Sequence, residues 1–209
     1  MIDPNFSSRE YEFYNLRFKQ FGFDSKSLGW SKNSQQIRFS KISEVIDLES
    51  RTCLDIGAGF LDFALFLKEK AIQPKSYLGI EPFPQFYQTA NHRGKSLDNF
   101  YCEVVSERWE DFLPQGKFDV VLAIGLLNIS NGKNYIILDE FLSKFLACTT
   151  EHLLISVLRK SEEVKPAQTK DPVFFYEIEK VIEILDKKCL NYEIFTDYLP
   201  HDMLLKISA

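Results

Sequence analysis

Two carboxylates and two glycines dominate one short stretch, Asp55-Ile56-Gly57-Ala58-Gly59-Phe60-Leu61-Asp62. The apolar run from Thr52 to Ile56 enters it. The residues that leave it, Phe63-Ala64-Leu65-Phe66-Leu67, switch to helical spacing, so the stretch predicts strand, tight turn, helix. Glycines one residue apart let a nucleotide-like ligand approach the backbone closely. A dinucleotide fingerprint would place a third glycine at position 62 and a pyrophosphate on the helix N-terminus. Position 62 is an aspartate, and no lysine or arginine occurs between Thr52 and Leu67. A diphosphate would meet Asp55 and Asp62 with only backbone amides to hold it, so the turn favours a cationic ligand.

A second acid completes the pattern. The apolar run Ser76 to Ile80 ends on Glu81, 24 residues after Gly57, and Pro82-Phe83-Pro84 then stops the strand. A carboxylate there offers two acceptor oxygens to the vicinal diol of a ribose. S-adenosyl-L-methionine carries a ribose, a sulfonium and an ammonium beside its carboxylate, and no phosphate, which matches both halves of the pattern. Asp55-x-Gly57-x-Gly59, Glu81, the strand at Phe118-Asp119 and a terminal strand pair resemble, in order and spacing, the class I S-adenosyl-methionine-dependent methyltransferases. More narrowly, Leu28-Gly29-Trp30 with Gln35 to Phe39, Gly125 to Asn128, and Asp197-Tyr198-Leu199-Pro200-His201 resemble a group of small bacterial methyltransferases of mostly unassigned substrate.

The resemblance implies a Rossmann-like, doubly wound α/β fold: a seven-stranded sheet, six strands parallel and the seventh antiparallel, with helices on both faces. It implies direct in-line transfer of a methyl group from S-adenosyl-L-methionine to a small-molecule or unidentified acceptor, without a covalent enzyme intermediate. The implied cofactor-binding residues are Asp55, Gly57, Ala58, Gly59 and Asp62 at the turn, Glu81 and Pro82 after the second strand, Glu107 and Trp109 after the third, Gly125 after the fourth, and Arg38 on the preceding helix. Arg38 would pair with the methionine carboxylate; a surface ion pair with Glu44 or Asp47 is the alternative. Trp109 packs either on the adenine or into the core, Trp30 either anchors its helix or covers the ligand, and Asn128 either orients a ligand or caps a turn. Glu81 departs from the aspartate more frequent in the family, and the loop after the third strand lacks the usual Gly-Asp start. No catalytic residue is assigned; of the titratable candidates His92, Tyr198 and His201, only His201 lies in a segment that reaches the crevice. The Asn/Asp-Pro-Pro-aromatic cluster of many base and glutamine methyltransferases does not occur after the fourth strand.

The elements that must position these residues follow from periodicity. Helices are expected over 8–20, from Ser31 to about Asp47, after Asp62, over 84–96, over 134–147 and over 174–188. Further strands are expected over 100–105, 116–125, 152–158, 192–197 and 203–208, the last two joined too closely for a parallel crossover. Residues 1–50 form a helical segment packing over the cofactor site, and 51–209 the methyltransferase domain. The polar stretch 159–172 reads either as a loop able to act as a substrate lid or as disorder without function. At 209 residues, with 19 Phe, the chain suits one core. A net charge of -5 and a pI near 5.3 argue against nucleic-acid or anionic-membrane partners, and no apolar run reaches the roughly 18 residues of a membrane span. Four scattered cysteines read as reduced thiols of a cytoplasmic protein, with no metal site. Asp62 and the acidic turn disfavour a nicotinamide-dependent oxidoreductase; a non-catalytic cofactor-binding or scaffold protein with the same fold is the alternative to an enzyme.

Overall fold

A computed structural model describes residues 8–161 and 172–209 of the chain. Seven strands, β1 (Thr52–Ile56), β2 (Ser76–Ile80), β3 (Tyr101–Val105), β4 (Phe118–Ile124), β5 (Thr149–Leu158), β6 (Asn191–Phe195) and β7 (Asp202–Ser208), form one sheet in the order β3-β2-β1-β4-β5-β7-β6. β7 runs antiparallel to both of its neighbours, and the other six strands are mutually parallel. This is the sheet the sequence predicts. Its strand order reverses at β1, where one connection leads out towards β2 and β3 and the chain later returns to β4 on the other side. Open sheets bind ligands outside the carboxyl ends of the strands at such a point.

Buried parallel strands need cover on both faces, and the side chains alternate accordingly. Cys53, Tyr77, Val120, Leu122 and Ile124 join α2 (Lys32–Val45) and α3 (Asp62–Glu69), together with Ala90 of α4 (Pro84–Lys95), in one core. Leu54, Ile56, Val121, Ala123 and Ile155 face α5 (Asn134–Leu146) and α6 (Ile178–Lys187) in the other. A third, aromatic cluster of Phe60, Phe83 and Phe86 is capped by Tyr11, Tyr14 and Phe18 of α1 (Ser8–Phe21). α2 begins where the sequence places it, because the Ser31 hydroxyl accepts the Ser34 amide at 3.1 Å.

The register makes the sheet's edge level where it matters. Ile56 pairs with Ile80, and Ile80 with Val105, so the turns after β1, β2 and β3 emerge side by side. The last helix is shorter than periodicity suggests. Residues Val173 and Tyr176 instead form bridges to Ile129 and Arg159, and the buried Tyr176 hydroxyl donates to the Leu127 carbonyl at 3.0 Å, so α6 starts only at Ile178. The expected lid falls, from 162 to 171, outside the described residues.

At the opposite, amino end of the sheet Asp119 clamps three strands. Its Oδ2 accepts the Thr52 amide at 2.8 Å and the Thr52 hydroxyl at 2.9 Å, and its Oδ1 accepts the Thr150 hydroxyl at 3.0 Å. These bonds, the Thr52 amide foremost, hold its carboxyl below the ordinary value of 3.8. A depressed folded-state pKa gives stability that is present above the unfolded value and lost as pH falls through the folded one. Asp119→Asn is therefore expected to lower the unfolding free energy by about 1–2 kcal/mol at neutral pH. The gap to wild type should narrow below pH 4, as read from urea titrations at several pH values.

Candidate functional site

Asp55 is the fourth residue of β1 and Glu81 the first residue beyond β2, and neighbouring strands bring them to the same edge. Both are buried. Asp55 Oδ2 accepts the Tyr77 hydroxyl at 2.6 Å. Glu81 accepts two backbone amides, Gly59 on Oε2 and Phe83 on Oε1, each at 2.8 Å. Among the described residues neither carboxylate forms an ion pair. Burial pushes Asp55 up to about 6, against the pull of the Tyr77 hydroxyl. Glu81 is pushed up to about 8 by burial, with the charge of Asp55 adding to the rise and the two amides opposing it.

The turn between them needs its glycines for different reasons. Gly57 sits at φ +76, where a β-carbon would also meet Leu126 Cδ1 at 2.8 Å. Gly59 spends its amide on Glu81 rather than on the cavity. Leu61, at φ 65, carries the chain into α3 through a left-handed conformation unusual for a leucine.

These groups open onto one cavity of about 290 Å³, at the lower end of the roughly 300–1,000 Å³ typical of small-molecule sites. Of the expected cofactor residues, Asp55, Gly57, Ala58, Asp62, Glu81, Pro82, Trp109 and Gly125 line it. Gly59, Glu107 and Arg38 do not. After β3 it is Arg108, Trp109 and Glu110 that face the cavity, while Trp109 also packs edge-on against Phe141 with ring centroids 5.2 Å apart. Arg38 is buried and bonds through Nε to Asp202 at the start of β7, in place of the surface partners Glu44 or Asp47. The α2 residues that line the cavity are Gln35, three positions earlier, and Phe39, one position later. Asn128 is structural: its Oδ1 accepts the Leu158 amide at 2.9 Å. His92, Tyr198 and His201 do not line the cavity.

The electrostatic picture gains a cation the turn itself lacks. Asp62 accepts Gln35 Nε2 at 2.8 Å on one oxygen and Arg93 Nη1 of α4 at 2.7 Å on the other. Asp62 is thus a satisfied strut that ties α2, α3 and α4 together, and the buried carboxyls left without a cationic partner among the described residues are Asp55 and Glu81. Sequence reasoning missed this because Arg93 is 31 residues away. It also missed Tyr14, which reaches the cavity from α1; burial, Glu10 and Glu81 push its hydroxyl well up.

No protein-family description and no curated protein matches the chain. Solved structures do. DhpI in complex with SAH aligns at a TM-score of 0.71 over 95% of this chain and 94% of that one, with 11% identity. Magnesium protoporphyrin IX methyltransferase (ChlM) from Synechocystis PCC 6803 with bound SAH aligns at 0.64 over 97% and 95%, with 11% identity. The N-methyltransferase NodS of Bradyrhizobium japonicum WM9 aligns at 0.61 over 85% and 97%, with 14% identity. The fold is the Rossmann-like fold of S-adenosyl-methionine-dependent methyltransferases, carried here by a chain that shares few residues with them.

Glu81 gives this site a pH signature in the ligand-free protein. A carboxyl whose folded pKa is raised contributes stability fully present below the ordinary 4.5 and lost as pH rises through about 8. Glu81→Gln loses one of the two amide contacts at every pH, because its Nε2 cannot accept, but it is free of the cost of ionisation, so its thermal midpoint relative to wild type is expected to rise from pH 5 to pH 8. Scanning calorimetry at the two pH values checks this.

Proposed function

We propose that the protein is a methyltransferase that transfers the methyl group of S-adenosyl-L-methionine to a small-molecule acceptor. The observation that carries the reading is the pair Asp55 and Glu81: two buried carboxyls without an ion-pair partner among the described residues, beside a glycine turn, in the cavity of a methyltransferase fold. A pocket whose buried carboxyls lack a cationic partner suits a sulfonium and disfavours phosphates. Each Glu81 oxygen accepts one amide and keeps a lone pair for a ribose hydroxyl. Gly57 and Ala58 supply close backbone approach, Trp109 and Leu127 apolar cover for an adenine, and the N-terminal segment closes the cavity through Tyr14, Leu28 and Trp30.

The bound cofactor supplies an electrophilic methyl on a sulfur cation, and attack by the acceptor neutralises that charge. What the chain has to provide is alignment and exclusion of water, which can supply on the order of 7–11 kcal/mol for ideal positioning. None of the lining groups is needed as a covalent nucleophile. Among the described residues no helix is long and apolar enough to cross a membrane. With its four cysteines free, we read the protein as cytoplasmic.

Isothermal titration with S-adenosyl-methionine and S-adenosyl-homocysteine is expected to show saturable binding of both, and NAD none. The reverse result overturns the reading. Gly57→Val should abolish binding, since its side chain collides with Leu126 in a left-handed backbone. Glu81→Ala should weaken binding by about 1.5–3 kcal/mol through lost charged hydrogen bonds.

A further inference from the structure

α1 lies across three of the loops that border the cavity. Arg9 donates from Nη1 to the Ser130 carbonyl at 3.1 Å, in the loop after β4. Glu10 reaches the loop after β3, with Oε2 4.0 Å from Arg108 Nη2. Tyr11, Tyr14 and Phe18 recur at helical spacing and pack on Phe83 after β2, with ring centroids 5.6, 6.3 and 6.5 Å away. Of that stripe only Tyr14 lines the cavity. Its ring is braced edge-on by Phe13 at 5.1 Å and by Phe86 at 5.7 Å between centroids.

The hydroxyl at the end of that ring differs from those of the other tyrosines in the core. Tyr77 spends its hydroxyl on Asp55 at 2.6 Å, and Tyr176 spends its own on the Leu127 carbonyl at 3.0 Å, as buried tyrosines usually do. The Tyr14 hydroxyl has no hydrogen-bond partner among the described residues. It is also the only side-chain hydroxyl among the described residues that line the cavity. Burial, then the charges of Glu10 and Glu81, push its pKa well up, so it remains a protonated donor across the neutral range.

What it faces is an acceptor. Phe83 ties the two groups together, since its amide bonds Glu81 Oε1 at 2.8 Å while its ring carries Tyr14. An ionised carboxylate can only accept. A ribose diol that gives both of its protons to Glu81 is left with oxygen lone pairs, and Glu81 has no donor to meet them. Tyr14 carries a donor with nothing else to bond.

We propose that Tyr14 is a cofactor-binding residue whose hydroxyl donates to one of the two ribose oxygens held by Glu81, so that the site reads the diol from both sides, as acceptor through Glu81 and as donor through α1. This rests on the cofactor reading above.

Tyr14→Phe removes one oxygen and keeps the ring. Because that oxygen has no partner to lose, the thermal midpoint of the ligand-free variant should match wild type. Calorimetric affinity for S-adenosyl-homocysteine should fall about fivefold, as for the loss of one hydrogen bond. Affinity for methylthioadenosine, which keeps the ribose and lacks the amino-acid arm, should fall by the same factor. Adenosine, deoxyadenosine and cordycepin then locate the bond, since the last two each lack one of the vicinal hydroxyls. The penalty of Tyr14→Phe should persist with adenosine and with one of the two deoxynucleosides, and vanish with the other, whose missing oxygen is the partner. Unchanged affinity in the variant overturns the proposal. So does a loss confined to S-adenosyl-homocysteine, which would put the hydroxyl at the amino-acid arm. A loss undiminished with both deoxynucleosides also overturns it, by making Tyr14 a packing residue. These three results leave the cofactor reading standing, whereas absence of S-adenosyl-homocysteine binding in the wild-type protein defeats that reading and the proposal together.

Discussion

Two carboxylates buried a strand apart, answered by a hydroxyl and two amides in place of a cation, are the constraint around which the molecule is arranged. Each resists ionising in its low-dielectric setting, and the charge of Asp55 makes ionisation of Glu81 harder still. Such a pair is costly in a ligand-free protein. The two apolar cores on either face of the sheet offset it, and they are dense where the site is not: Leu54, Ile56, Tyr77, Val120, Val121 and Leu122 are fully buried immediately behind the carboxylates. A positively charged ligand recovers the cost, which is how a site comes to be tuned for a cation without presenting a formal counter-ion.

The same logic separates the acids that face the cavity from the acids that brace the fold. Asp62, Asp119 and Asp202 are each held by several donors from elements distant in sequence, and each joins parts of the fold. Asp55 and Glu81 bond only to their immediate structural neighbours and keep acceptor capacity facing the cavity. Counting acids in the glycine turn overstates its charge, since Arg93 answers Asp62. The proposed preference for a cation rests on the other two.

What could be read from the chain alone was local. The glycine turn, the acid after the second strand, the Ser31 cap and the antiparallel final pair all follow from spacing within a few residues or from loop length, and the sheet order then follows from the resemblance they support. Contacts across the chain were out of reach. Arg38 was expected at the ligand because helix position alone suggests it, whereas its partner lies 164 residues away. After β3 Trp109 lines the cavity as expected, but Arg108 and Glu110 line it in place of Glu107, since the loop's path, not its composition, decides which side chain turns inward. Tyr176 left the final helix because its hydroxyl finds a buried carbonyl at Leu127, a competition that periodicity does not encode.

The reach of the Arg38 contact has a kinetic side. Most pairings that hold α3, α4 and the first three strands span a few dozen residues, but α2 is tied down by a residue of β7. A growing polypeptide made at about 5–20 residues per second would wait roughly 8–30 s between the two partners. During that interval α2 is held only by partners made early, Gln35 by Asp62 and Phe39 by Phe63 and Phe66, and the buried guanidinium of Arg38 waits for the carboxylate that answers it.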